Sequence, residues 1–502
     1  SEMCIRDRAN AAEIKDKDKK YLTIHGHFYQ PPRENPWLEA IELQDSALPF
    51  HDWNERINTE CYNPNSVSKI VDSRNRILDV VNNYEHMSYN FGPTLLSWME
   101  QFAPLTYERI IKADIESIPE HNGHGNAIAQ VYNHIIMPLA NEQDKQTQVK
   151  WGIRDFEYRF GRKPEGMWLA ETAVDDDTLR VLEENGIKFT ILSPYQAEKF
   201  RKKGDKEWTD VSWGNIDPAR SYKYNIKSAP GKSIDLFFYD GAISRSVAFD
   251  ELLKDGNKFI KRLKEGVSEC RDYPQLINIA TDGESYGHHT KFGDMALAYV
   301  LKIKAKDEGF TITNYAEYLE KYKSDCEVEI KQASSWSCFH GVGRWKEDCG
   351  CSTGGHPGWN QKWRKPLRDA LDYLRDEFAS LFEQEGAKYF DNVWEVRNKY
   401  IEVILDRNEM NVKKFQQENF KPDLSDEDKV KAMELLEIQR QSLLMYTSCG
   451  WFFSEISGIE TVQIMKYAAR AMQLASRFTS KNLEEHFLNI CLLYTSPSPR
   501  DA

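Results

Sequence analysis

LINIATDGESYGHH, residues 276–289, and GMWLAE, residues 166–171, decide the fold. Each is a short apolar run that stops at an acid and gives way to polar chain. A continuous apolar run of this length, bounded by turn residues, reads as a strand buried on both faces. In a barrel of parallel strands wrapped by helices, side chains at the C-terminal strand ends form the active site. Glu171 and Asp282 occupy those ends. Two acids facing each other at such a mouth are the minimum apparatus for cleaving a glycosidic bond.

Similar runs lie on either side: YLTIHGHF (21–28), HMSYNF (86–91), KFTILS (188–193), IDLFFYD (234–240) and FTIT (310–313). Helical patterns separate them. In DDDTLRVLEENG (175–186), Asp175 to Asp177 supply N-terminal carboxylates and Gly186 a C-terminal stop. Strand–helix alternation of this kind predicts an α/β fold whose parallel sheet closes, or nearly closes, into a barrel over residues 20–329. A doubly wound open sheet competes, but no GxGxxG follows the first strand. Residues 330–365, rich in Trp, Gly and Cys, read as a long ordered loop at the active site. From Pro366 to about 490 the pattern is helical: Leu367, Ala370, Leu371, Leu374, Phe378 and Leu381 share one face, and stripes recur at 392–405, 427–446 and 460–478. A helical bundle domain is expected there, broken by TSCGWFFSEISG (447–458).

The chain has 502 residues, 40% hydrophobic and 12% aromatic, enough for a large core plus a second domain. With a net charge of −13 and no basic block, no nucleic-acid partner is expected. No apolar run approaches the roughly 18 residues of a membrane span, and no signal-peptide pattern opens the chain. A cytoplasmic protein of unassigned oligomeric state follows. Both ends look foreign. Codons that spell EMCIRD (2–7), read on the opposite strand in a shifted frame, spell LLYTS (492–496). Residues 1–8 and 491–502 are therefore expected to be adapter-derived, with the helical part cut short.

Beside Glu171, Trp168 could wall a sugar; the plain alternative for Glu171 is a helix cap. Around Asp282, Glu284, His288 and His289 crowd one loop, and an acid beside an acid holds its proton more tightly, as a general acid must. His25 and His27 alternate on the first strand and so face one side. At a barrel mouth they could donate to sugar hydroxyls or bind a metal. In HNGHGNAIAQVYNHIIMPL (121–139), Asn126, Gln130 and His134 are weaker candidates, the last two expected on one helix face. Arg344, Trp345 and Asp348 are expected to touch substrate from the long loop. Cys338, His340, Cys349, Cys351 and His356 do not follow a standard zinc-finger spacing, so reduced thiols that shape the loop are expected, with no metal and no cofactor.

These residues resemble the motifs of glycoside hydrolase family 57. HGHFYQPP (25–32) matches the first, YNHIIMPL (132–139) the second and TDGESYGHH (281–289) the fourth. MWLAE (167–171) matches the third except for Ala170 in place of Pro, and CGWFF (449–453), with Trp451, is the fifth-motif candidate, carrying Gly450 where the family has Asp. The loop HGVGRWKEDCGC (340–351) resembles a less characterised branch. The resemblance implies an incomplete seven-stranded (β/α) barrel followed by an α-helical bundle. It also implies a metal-free retaining mechanism on α-glucans, with Glu171 as nucleophile and Asp282 as acid/base. The competing readings are a metal-dependent deacetylase or α-mannosidase using His25, His27 and Asp282, and a carbohydrate-binding protein without turnover.

Overall fold

The computed structural model describes residues 18–354 and 357–492. The suspected foreign segments 1–8 and 493–502, and His356, lie outside the described residues, whereas Cys491 and Leu492 end the last helix, Leu483–Leu492.

Seven strands build the barrel wall: β1 (Lys20–Phe28), β2 (Ser88–Phe91), β3 (Ala129–Gln130), β4 (Met167–Trp168), β5 (Phe189–Leu192), β6 (Ser233–Phe238) and β7 (Gln275–Asp282). β7 pairs with β1, β1 with β2, β3 with β4 and β5 with β6, all in parallel. Single parallel bridges, Tyr89 to Ala127 and Gly166 to Phe189, join the remaining neighbours. Between β6 and β7 the contact is reduced to Asp240 N–H donating to Asn278 O (2.8 Å) and the Asn278 amide donating to Phe238 O (3.3 Å). The barrel is incomplete at that seam.

One expected wall strand is replaced by another. FTIT forms a strand, Phe310–Ile312, but pairs with β1 only at its first residues, Lys20–Leu22. The seventh place belongs to β3, inside the segment expected to be helical. Only two residues of β3 pair, so hydropathy alternation never develops. Side chains hold the approach to it instead. Asp114, fully buried, accepts the Ala127 N–H (2.8 Å), and Arg162 donates to Ala127 O (2.8 Å) while gripping both Asp114 oxygens at 2.7 and 2.8 Å. Helix Glu142–Phe160 packs so closely on β3 that a Cβ at Gly152 would stand 2.1 Å from Gln130 O.

Helix Asp176–Glu184 starts as its sequence predicts, with Asp175 accepting the Thr178 N–H (2.8 Å) and Gly186 at positive φ beyond its end. β5 and β6 also belong to a six-stranded mixed sheet with Ala197–Lys202, Thr209–Asp210, Ser221–Asn225 and Cys326–Ile330. That sheet carries the chain from Ile330 to Ser334, which bridges Val174 in antiparallel fashion just beyond β4. The 334–345 loop is thereby laid across Glu171.

Helices follow from Arg364: Arg364–Gly386, Val393–Lys399, Ile401–Leu405, Glu409–Asn419, Asp426–Leu444, Ile459–Ala475 and Leu483–Leu492. The stripe Leu367, Ala370, Leu371, Leu374 and Phe378 is buried as expected, and Phe382 rather than Leu381 continues it. Their seam with the barrel is polar and specific. Trp151 donates to Arg397 O and Asn398 O (3.2 and 3.0 Å), and buried Arg397 pairs with Asp144 (2.8 Å). Ser448 N–H donates to His134 O (3.0 Å). Among the described residues no helix is long and apolar enough to cross a membrane.

Removing one partner of a buried ion pair leaves the other charge stranded. Asp114→Ala is therefore expected to lower the free energy of unfolding by about 3 kcal/mol. Urea unfolding followed by tryptophan fluorescence measures it; an unchanged midpoint would show that β3 does not depend on this carboxylate.

Candidate active site

β4 is only two residues long, and the chain leaves it in a tight turn, Ala170–Thr172. Glu171 (φ 56°, ψ 21°) and Thr172 (φ 51°) both adopt the left-handed conformation. For residues with a Cβ this costs roughly 1 kcal/mol each and persists only where surroundings enforce it. The enforcement comes from Gln196, whose amide donates to Thr172 O (2.8 Å) and accepts from the Thr172 hydroxyl (2.8 Å). It comes also from Trp336 N–H, which donates to Glu171 O (3.0 Å). The twist presents the Glu171 carboxylate to the Trp336 indole N–H (2.8 Å) and the Ser337 hydroxyl (2.7 Å), which converge on the same oxygen, Oε2. Burial raises the proton affinity of Glu171; these two hydrogen bonds and the charge of Arg344 hold the rise in check.

Asp282 ends β7. The strand is buried up to it, and Asp282 itself is the exposed end. Desolvation by the protein around its carboxyl group, then repulsion from Glu284 and Glu171, raises its proton affinity well above the ordinary value. Trp336 and Tyr239 bridge the two acids: their rings lie 6.3 Å apart, one bonded to Glu171 and the other within the field of Asp282.

The chain beyond Asp282 folds tightly against a π-helical turn, Asn58–Tyr62, a local irregularity frequent at functional sites. A Cβ at Gly287 would meet Glu60 O at 2.6 Å and one at Gly283 the Phe28 ring at 2.2 Å. Only glycine lets the two segments approach so closely. Glu284 is thus buried against Tyr62, whose hydroxyl donates to Oε1 (2.5 Å), and receives Tyr29 N–H (3.1 Å). Burial outweighs these bonds and pushes it up to about 7. His288, partly exposed, pairs with Glu60; His289 stands beside it.

Several expected sugar contacts are corrected. His25 and His27 do face one side, into the barrel, where both rings stack on Trp168 with centroids 4.9 Å away. Their nitrogens are taken up internally. His25 bonds Ser88 (2.9 Å) and Asn90 (3.1 Å), and His27 bonds Asn90 (3.0 Å) and His134 (3.1 Å). Burial pulls both imidazoles down to about 3, so they are neutral. His134, at φ 55°, continues the chain to the Ser448 hydroxyl (2.6 Å) and stacks under Tyr29. Trp168 is fully buried and cannot offer a face to a sugar; partly exposed Trp336 takes the place expected of it. Asn126 is likewise structural, donating to Tyr84 O and Glu85 O. Gln130, on β3 rather than a helix, accepts from Asn90 (2.9 Å). Arg344 spends its guanidinium on Ser337 O (3.0 Å) and Phe452 O (2.8 Å), acting on Glu171 only through its field. Trp345 is buried with its N–H on Ser448 O (3.1 Å), Trp451 is buried against Tyr446, and Asp348 is exposed. At Gly450 a Cβ would meet Ile464 at 2.4 Å, which fits the absence of an acid there.

Sequence reasoning missed Trp336, Ser337, Tyr62, Glu60 and Tyr239. It also missed Cys449, whose thiol, raised by burial first, feels Glu460, Glu171 and Asp282. The signal available was indirect: SSWSC opens the loop already singled out for its Trp content.

The sequence matches glycosyl hydrolase family 57 over residues 19–331, more than half of the chain, and a domain of unknown function (DUF3536) over 359–499. It is 23% identical over 254 residues to alpha-amylase 1 of Dictyoglomus thermophilum, covering 49% of this chain and 33% of that protein. The chain thus spans about a third of the length of the curated relatives it matches. Among solved structures, an exo-type maltose-forming amylase from Pyrococcus sp. ST04 superposes with a TM-score of 0.70 at 18% identity, covering 93% of this chain and 82% of the other. A branching enzyme from Pyrococcus horikoshii gives 0.53 at 15% identity, covering 95% and 97%. These likenesses establish a shared barrel-plus-helices fold.

Glu284 yields a pH prediction. Folded, it keeps its proton up to about pH 7; unfolded, it loses it near 4.5. Between these values the folded state binds the extra proton, so stability falls as pH rises. Glu284→Gln should remove a part of that fall on the order of 3 kcal/mol. Urea midpoints at both ends of the window test it; parallel pH slopes for the two proteins would refute the assignment.

Proposed function

The chain belongs to glycosyl hydrolase family 57, and on that premise we propose that it is a retaining glycoside hydrolase or transglycosylase acting on α-glucans. The carrying observation is the unequal treatment of two acids in one cleft. Glu171 has two donors on Oε2, which stabilise its ionised form, whereas desolvation and two neighbouring acids raise the proton affinity of Asp282. Unlike environments of this kind assign nucleophile and acid. The names of its relatives, α-amylase, maltose-forming amylase and branching enzyme, support an α-glucan substrate.

In this reading Glu171 Oε1 attacks the anomeric carbon. The bond to the departing sugar breaks, and its oxygen takes the Asp282 proton. Esterification removes the negative charge of Glu171, and with it one of the repulsions that raise Asp282. Asp282 then holds a proton less tightly than in the free enzyme, and as a carboxylate takes one from the incoming nucleophile. Water gives hydrolysis and a sugar hydroxyl gives transfer. Trp336 is the sugar wall, Glu284 and His288 line the acid's side, and residues 20–329, 330–365 and 366–490 act as catalytic barrel, active-site loop and helical support.

The deacetylase or α-mannosidase reading needs His25, His27 and Asp282 to converge on a metal. Among the described residues they form no such group, because both histidines are committed to Ser88, Asn90 and His134.

Glu171→Gln is expected to lower kcat on amylose or maltooligosaccharides by roughly 10⁴-fold with the fold intact. Asp282→Ala should retain cleavage of substrates with good leaving groups and be rescued by azide, giving a glycosyl azide of the substrate's own anomeric configuration. Full activity in the Glu171 variant, or inverted products from the parent enzyme by NMR, would overturn the reading. Unchanged binding without turnover in the parent would instead favour a carbohydrate-binding protein.

A further inference from the structure

We propose that Cys338, His340, Cys349 and Cys351 bind one zinc ion, and that this ion fixes the loop that positions Glu171. The four ligand atoms lie within 4.8 Å of one another. The Cys338 sulfur is 3.9 Å from that of Cys349 and 3.8 Å from that of Cys351, and the Cys351 sulfur is 3.5 Å from His340 Nδ1. With Zn–S near 2.3 Å and Zn–N near 2.0–2.1 Å, a tetrahedral site has edges of about 3.8 Å between sulfurs and about 3.5 Å from sulfur to nitrogen. Three of the six edges therefore already match that tetrahedron, and every pair of ligand atoms lies within 4.8 Å. A disulfide would use two of the thiols and strand the third beside an imidazole, and the sulfurs stand far beyond the roughly 2.05 Å of a bonded pair.

The backbone N–H groups of His340 and Arg344 lie against the Cys338 sulfur, and that of Phe339 against the Cys351 sulfur. Such outer contacts orient ligands and tune a metal site. Gly350, at φ 79°, makes the turn that brings Cys349 and Cys351 to one point. Zinc with three thiolates carries one net negative charge. Buried Arg364 answers it, donating to Cys351 O (2.6 Å) with its charge felt by all three thiols. Three soft sulfurs and one imidazole in a tetrahedron select zinc over oxygen-seeking cations such as magnesium or calcium. The sequence spacing, Cys-x-His followed after eight residues by Cys-x-Cys, is unlike a standard finger; the loop's path, through the short 3₁₀ turn Gly343–Trp345, brings the two halves together.

The placement gives the ion a task. Cys338 directly follows Trp336 and Ser337, the two donors to Glu171 Oε2. Arg344, four residues after His340, holds Ser337 O (3.0 Å). Closing the cluster fixes both donors without any ligand touching the reacting atoms. These four are positioning residues.

The test uses the full chain purified without added metal. Elemental analysis should find about one zinc per chain, and Cys349→Ser and Cys351→Ser should each lower that content at least tenfold. Cys270→Ser, at an exposed free thiol, should leave it unchanged. In the ligand variants kcat should fall while KM holds, because the loss is of nucleophile alignment. Should a variant not fold, chelation of the parent protein and refilling with Co²⁺ reports the site: intense thiolate-to-cobalt absorption supports it. The proposal is overturned by a parent protein lacking metal that also gives no thiolate bands with Co²⁺, by stoichiometric iron, or by a disulfide among the three cysteines in mapped peptides. Metal content and the cobalt spectrum are read without substrate, so they stand or fall separately from the glycosidase reading.

Discussion

The structure depends on one carboxylate oxygen. Glu171 Oε2 accepts from the Trp336 indole and the Ser337 hydroxyl, 2.8 and 2.7 Å away, and much around it serves to make that meeting possible. Two consecutive left-handed residues turn the side chain out of a strand only two residues long. Gln196 braces the turn, donating at once to Thr172 O and Ser334 O (2.8 and 3.1 Å), so the segment that carries Glu171 and the segment that grips it share one amide. Strain stored in the backbone is held by hydrogen bonds from a distant part of the chain.

Below the mouth the barrel is filled by polar as well as apolar side chains. His25, His27, His134, Ser88, Asn90 and Gln130 form a connected layer around Trp168. Buried polar groups that bond one another permit few alternative arrangements; among the described residues of this layer, Gln130 Nε2 and the Trp168 indole N–H are left without a partner. Neutral imidazoles add no charge to the layer beneath the acids. The acids are graded accordingly: Glu171 sits among donors, and Asp282 and Glu284 repel each other across the tight turn that Gly283 and Gly287 allow.

Long apolar runs ending in acids were legible, and so were the strands 20–28, 189–192, 233–238 and 275–282 and the striped helices. Their signal is periodicity, which survives in any single sequence. β3 was not legible, because its two paired residues lie in a stretch secured by Asp114 and Arg162, whose role is invisible until helix and strand meet. The histidines were identified correctly as facing one side and misjudged in depth, since alternation tells direction and not distance from solvent. Trp345 and Trp451 misled for a related reason: an aromatic in a glycine-rich loop can as readily plug the loop's own core. Trp336 and Ser337 differ from them only by where the chain crosses Val174, a tertiary fact.

That crossing sets a sequence of events for a chain made from its N-terminus. Glu171 and Asp282 are both synthesised, and their strands can pair, before residue 334 exists. Among the described residues, every hydrogen bond to the Glu171 carboxylate, and the Arg344 charge that tempers it, comes from beyond the last wall strand. A nascent barrel would hold both acids with Glu171 still lacking its hydrogen-bond donors. The proposed site is therefore completed only when the long loop has been made, and a chain interrupted before it would lack both donors to Glu171.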